Sequence, residues 1–108
     1  KGKVKRIPKE ISNINRRLPV IGWNSINIIN KSKIFDGIPN KSNFYFTHSY
    51  FVQPDDEEII SSTSNYYGFN YCSSISMKNV YATQFHPEKS SLIGLKLYEN
   101  FKKICLES

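Results

Sequence analysis

Gln84-Phe85-His86-Pro87-Glu88-Lys89-Ser90 (QFHPEKS) is the stretch whose reading decides the fold of this chain. Residues 79–85 (NVYATQF) lead into it with the β-branched and aromatic types that suit a pleated strand. Beyond it, Ser90 or Ser91 stands where a helix cap belongs. Leu92, Ile93, Leu95, Leu97, Phe101, Ile104 and Cys105 then approximate one apolar stripe, with Lys96, Glu99, Lys102 and Lys103 on the wet side. The exit of a strand toward a helix is where α/β folds present reactive groups. Pro87 biases His86 to an extended backbone and delays the helix, so a His and a Glu two residues apart are presented together at a strand tip.

That pair suits one chemistry well. A histidine takes a proton from a thiol and returns it to a leaving amine, while a carboxylate fixes its tautomer and steadies the imidazolium. A nucleophile is still required. A cysteine of ordinary pKa about 8.5 serves when a histidine within about 3 Å draws it toward thiolate. The plainer alternative for the same residues is a surface histidine beside a helix-capping glutamate.

Working outward, residues 43–52 (NFYFTHSYFV) are the densest aromatic run and predict the strongest strand, closed by a turn at Pro54-Asp55-Asp56. Residues 58–63 (EIISST) and 68–74 (GFNYCSS) predict two more strands, with turn-rich pieces around Asn65 and Lys78. Toward the start, residues 1–17 read as a basic loop with a short strand at 3–7. Residues 18–24 read as a strand entering a turn at Gly22-Trp23-Asn24, and 26–29 as another short apolar patch. Residues 32–37 predict a single helical turn ended by Gly37 and Pro39. Strands closed by one helix indicate a piece of an α/β sheet with an antiparallel portion.

Composition narrows the function. The 108 residues, 39% hydrophobic and 14% aromatic, suffice for one compact domain or part of a larger one. No run approaches the roughly 18 apolar residues of a membrane span, and the basic start lacks the apolar core of a signal peptide, so a soluble cytoplasmic protein without membrane association is expected. Cys72 and Cys105 lie far apart with no CxxC spacing, which suggests reduced thiols and neither a metal nor a redox site. The net charge of +6 raises nucleic-acid binding. Seven of the 15 basic residues, however, cluster at Lys1, Lys3, Lys5, Arg6, Lys9, Arg16 and Arg17, the pattern of a solvated segment, and a nucleic-acid partner ranks last. The chain opens on Lys and reads like the middle of a longer protein.

Taken in order and spacing, LPVIGWN (18–24), YFTHSY (45–50) and QFHPEKS (84–90) resemble the glutaminase subunit family of imidazole glycerol phosphate synthase. The likeness extends to GKVKRI (2–7) and GLKLYENF (94–101). HPE by itself is shared by many class I glutamine amidotransferases, whereas GWN with HSY and HPEKS is more specific. The resemblance implies the C-terminal half of a flavodoxin-like α/β amidotransferase domain across residues 1–108. It also implies a Cys-His-Glu triad hydrolysing glutamine, no cofactor, and a cyclase partner receiving ammonia in histidine biosynthesis.

Carried over residue by residue, His86 is the general base and acid and Glu88 its orienting group. His48, Ser49 and Tyr50 lie beside glutamine, mostly through main-chain groups, and Trp23, Asn24, Tyr45 and Lys89 face the cyclase or the ammonia passage. Trp23 and Tyr45 also read as plain core, His48 as a satisfied structural histidine and Lys89 as a solvated cation. Two departures stand out. The family's nucleophile turn, Gly-x-Cys-x-Gly, does not occur in these residues, and neither Cys72 nor Cys105 sits in one, so the nucleophile and its glycine-rich oxyanion loop are expected on an N-terminal half and these residues alone are expected to be inactive. Val20 stands where the family usually has a histidine, which removes any side-chain hydrogen bond there. A glutaminase relative serving surface-sugar amidation and a non-catalytic partner-binding half-domain are the alternatives.

Overall fold

The computed structural model describes residues 2–11, 14–15, 18–30, 32–78 and 80–107. Its strands are β1 (Gly2–Arg6), β2 (Glu10–Ile11), β3 (Ile14–Asn15), β4 (Val20–Ser25), β5 (Asn27–Ile28), β6 (Asn43–His48), β7 (Tyr50–Pro54), β8 (Ile60–Tyr66), β9 (Phe69–Met77) and β10 (Val80–Thr83). Helix α1 (Ser91–Glu107) closes the chain, and single 3-10 turns lie at Lys33–Phe35, Glu57–Ile59 and Pro87–Lys89. The main sheet runs β1-β7-β9-β8-β5 with β10 also on β9, while β4 and β6 form a ladder of their own and β2 and β3 a small pair. Each of these pairings is antiparallel. The β8–β9 link shows why so little connection is needed: Tyr67 and Gly68 both take positive φ, 47° and 85°, the two-residue turn whose twist matches paired strands.

Phe44, Phe46, Phe85, Ile7 and Ile26 are almost wholly buried, and they anchor a core completed by Val20, Ile34, Phe35, Ile38, Tyr71 and Leu97. Edge-on packing of Phe46 against Tyr71 and Phe85 suits the aromatic quadrupoles. Between β8 and β9 the interior is polar instead. Ser61 meets Ser74 at 2.7 Å and Ser62 meets Ser73 at 2.8 Å, so buried hydroxyls satisfy one another where the strand register shifts. No helix among the described residues is long and apolar enough to cross a membrane.

Three sequence expectations need correction. Residues 43–52 are not one strand: the chain changes ladders at Ser49, whose carbonyl accepts from the Ile7 amide, so β6 pairs with β4 and β7 with β1 and β9. Residues 58–63 begin in a 3-10 turn, because the Asp56 carboxylate accepts the Glu58 amide and holds the backbone out of the sheet until Ile60. The buried side of α1 is narrower than the apolar letters suggest, running through Ile93, Gly94, Leu97, Asn100 and Ile104, while Leu92, Leu95 and Cys105 are exposed. Asn100 explains the shift, since its amide donates to the Ile34 and Asp36 carbonyls at 2.9 and 2.8 Å and pins that face to the turn at Lys33–Phe35.

Other elements follow the sequence. The strand expected at 3–7 is β1, the strand at 18–24 is β4, and the turn at 32–37 ends at Gly37, whose φ of 75° favours glycine. The basic stretch 1–17 also holds β2 and β3, whose pairing of two residues each is too short to leave a periodic signal.

Candidate active site

The path into QFHPEKS begins with Phe85. Its ring is buried against Phe44, 4.3 Å between centroids, and Phe46, 5.7 Å, which fixes the exit of β10 in the core and leaves the next side chain, His86, facing out. Hydrogen bonds hold the main chain on both sides. The Gln84 amide donates to the Ser73 carbonyl at 2.8 Å, the Thr83 hydroxyl to the Phe85 carbonyl at 3.0 Å, and the His86 amide to the Tyr45 carbonyl at 2.8 Å. Pro87–Lys89 then makes one 3-10 turn, and α1 lies directly on it. A Cβ added to Gly94 would sit 1.9 Å from the Pro87 carbonyl oxygen, so this close approach requires glycine.

On that turn His86 Nδ1 lies 3.1 Å from Glu88 Oε2, with side-chain exposures of 37% and 52%. Glu88 is held below the ordinary carboxylate range, chiefly by its own main-chain N–H and further by His86 and Lys89, so it stays ionised and accepts from Nδ1. In that tautomer Nε2 carries the lone pair. Beside the pair lies an open concavity of about 600 Å³ whose walls include Thr47, Tyr81, Gln84 and Tyr98.

His48 is built differently. Its Nδ1 lies 2.9 Å from the Tyr50 carbonyl and its Nε2 3.2 Å from the Tyr71 hydroxyl, so both ring nitrogens are engaged. Burial pushes its pKa down, with the nearby His86 adding to the effect and the Tyr50 carbonyl opposing it. The side chain of His48 thus has both ring nitrogens satisfied within the fold. The carbonyls of Ser49 and Tyr50 are likewise taken, by the Ile7 amide and the His48 ring.

Trp23, Tyr45 and Lys89 come together on the surface. Trp23 and Tyr45 are register partners with rings edge to face at 6.0 Å, and Lys89 Nζ lies 5.9 Å from the centre of the Tyr45 ring. Trp23 is 56% exposed, so it is not core. Asn24, the next residue on β4, is not part of that cluster: its amide nitrogen donates to the Asn65 carbonyl at 2.8 Å. Val20 is buried and paired with His48, filling an apolar slot.

Burial makes Cys72 a poor nucleophile. Cys72 is a thiol inside β9 whose pKa burial pushes up to about 11, and Cys105 lies exposed on α1. Sequence reasoning passed over Ser90 as anything but a cap, although its hydroxyl goes to the His86 carbonyl at 2.6 Å and receives the Tyr45 amide at 2.9 Å. It also passed over Gly94 and Tyr71. A glycine in the first turn of an apolar helix was the available signal for Gly94.

A histidine tied to a carboxylate two residues on, at a strand exit sealed by a helix, is an arrangement chemically able to take up and return a proton. The glutamine amidotransferase class-I family matches residues 4–104, and the chain belongs to that family. More particularly, it is similar to the imidazole glycerol phosphate synthase subunit HisH of Pelagibacter ubique, 52% identical over 100 residues that make up 93% of this chain and 47% of that protein. The subunit of the same name from Dehalococcoides mccartyi is 46% identical over 106 residues, 98% of this chain and 49% of that one. The chain spans about half the length of the curated relatives it matches. The crystal structure of a putative GMP synthase component from Thermoplasma acidophilum shares the fold, with a TM-score of 0.74 at 21% identity over 98% of this chain and 49% of that one.

Proposed function

We propose that this chain carries the His-Glu arm of a cytoplasmic glutaminase that supplies ammonia to a cyclase in imidazole glycerol phosphate synthesis, a step of histidine biosynthesis. The observation that carries the reading is the 3.1 Å contact between His86 Nδ1 and ionised Glu88, in a member of the class I amidotransferase family. His86 Nε2 takes the proton of a cysteine thiol held on the remainder of the domain, and the thiolate attacks the carboxamide carbon of glutamine. As the C–N bond breaks, His86 returns that proton to the nitrogen, releasing ammonia and leaving a thioester. Water then attacks the thioester, His86 accepts the water proton and returns it to the sulfur, and glutamate leaves. His48, Ser49 and Tyr50 border the glutamine site, and since the carbonyls of Ser49 and Tyr50 are engaged within the fold, their main-chain amides are what they offer. Trp23, Tyr45 and Lys89, with Asn24 next to Trp23 on β4, meet the cyclase.

Glutamine-dependent ammonia release, measured on the full-length protein with its partner, tests this. Release that disappears with His86→Ala is the expected result, and no release from the intact complex overturns it. A second reading, a half-domain that binds its partner without turnover, draws on the exposed Trp23–Tyr45–Lys89 cluster and gains from the latter outcome.

A further inference from the structure

We infer that Ser90 is a positioning residue for His86, its hydroxyl acting as an inserted link that fastens the His86 main chain to β6; the inference rests on the catalytic reading of His86. The geometry begins with Tyr45. Trp23 and Tyr45 face each other across the β4–β6 ladder, and both main-chain groups of Tyr45 turn away from β4 toward the 86–90 turn, as in a non-hydrogen-bonded antiparallel pair. The His86 amide bonds the Tyr45 carbonyl directly at 2.8 Å. An ordinary strand pair would close the ring with a second bond, from the Tyr45 amide to the His86 carbonyl. Here a side chain intervenes. The Tyr45 amide donates to Ser90 Oγ at 2.9 Å, and Ser90 Oγ donates to the His86 carbonyl at 2.6 Å.

Ser90 is fully buried, so water does not readily take over this role. Its own backbone is held by the Pro87 carbonyl at 3.0 Å, and its carbonyl receives the Gly94 amide at 3.2 Å. The hydroxyl is thus fixed by the start of α1 and sets the gap between β6 and His86 to the width of one oxygen. Without it, the half-buried Tyr45 amide loses its partner and the His86 carbonyl, which still accepts the Lys89 amide at 3.0 Å, loses its tie to β6, so the two either stay unlinked or draw together and carry the imidazole with them. A shift of about 1 Å at a catalytic group is enough to cost on the order of a hundred-fold in rate. Glutamine binding is made elsewhere and should be spared.

The test compares Ser90→Ala and Ser90→Thr with the unaltered full-length protein in complex with its partner. Ser90→Ala should lower kcat for glutamine hydrolysis by about ten- to a hundred-fold while KM stays within about two-fold, and Ser90→Thr, which keeps the hydroxyl, should recover most of the rate. A role confined to stability would lower the melting temperature and leave kcat intact. Amide exchange gives a readout independent of turnover and of how well the variants fold: the Tyr45 amide of the unaltered protein should be protected. An exchange rate typical of an open strand edge, or a Ser90→Ala variant with unchanged kcat, overturns the inference. His86→Ala measured alongside separates the two claims. If it is inactive while Ser90→Ala is not, only the role of Ser90 falls; if it too is fully active, the catalytic reading of His86 falls first.

Discussion

The two histidines stand at two ends of one small region and are built to opposite specifications. His86 sits on an exposed turn, bonded to a carboxylate through one ring nitrogen, its main chain fastened to β6 by Tyr45 and Ser90. His48 ends β6 itself, half-buried, with both ring nitrogens engaged and its pKa lowered by burial. A histidine that must exchange protons needs a rigid backbone and one nitrogen to spare, whereas a structural one uses both nitrogens to satisfy its neighbours. Position in a motif does not make that distinction, since HSY and HPE each supply a histidine.

The strongest way to break the contrast is His86→Ala in the full-length protein. It should lower kcat for glutamine by about a hundred- to ten-thousand-fold with little change in melting temperature, because an exposed ring leaves no cavity; turnover assays and calorimetry check both halves. Gly94→Ala comes next. It forces a methyl against the Pro87 carbonyl and should destabilise by about 1–3 kcal/mol, with the 87–90 turn displaced, as chemical denaturation and amide exchange at Lys89 and Ser90 would show.

His48→Gln should cost about 1–2 kcal/mol through the Tyr50 and Tyr71 contacts, and it should also change the pH response. The folded pKa of His48 lies below its ordinary 6.5, so its contribution to stability is complete above that pH. As pH falls below 6.5 the unfolded chain takes up a proton that the fold refuses, and stability declines; urea midpoints at descending pH should show this slope in the unaltered protein and less of it in the variant. The smallest effect on folding belongs to the surface cluster: Trp23→Ala and Lys89→Ala should each stay within about 0.5 kcal/mol in stability while weakening the complex, read by titration calorimetry with the partner.

Much of this site was legible because its code is local. Pro87 fixes an extended His86, the apolar run before it makes a strand, and Gly37 ends the turn at Lys33–Phe35 at a positive φ. The break at Ser49 also left a trace, since the aromatic residues packed on the core move from even numbers at Phe44 and Phe46 to an odd, half-buried one at Phe51, but aromatic density masked the change of phase. Strand alternation likewise separates Trp23 from Asn24, which a motif groups together. What could not be read were partnerships across sequence distance: Asn100 reaching the Ile34 and Asp36 carbonyls, Tyr71 under His48, and Ser90 spanning Tyr45 and His86. In each, a polar side chain is chosen by backbone groups that only the fold brings near.

The central claim is that Glu88 holds neutral His86 as the Nδ1–H tautomer, leaving Nε2 free to take a proton from the triad thiol. Nitrogen NMR of the histidine rings in the full-length protein, at a pH where His86 is neutral, reads that tautomer directly. The account predicts a protonated Nδ1 and a bare Nε2 at His86, reversed or blurred by Glu88→Gln; a ring protonated at Nε2 in the unaltered protein would contradict it.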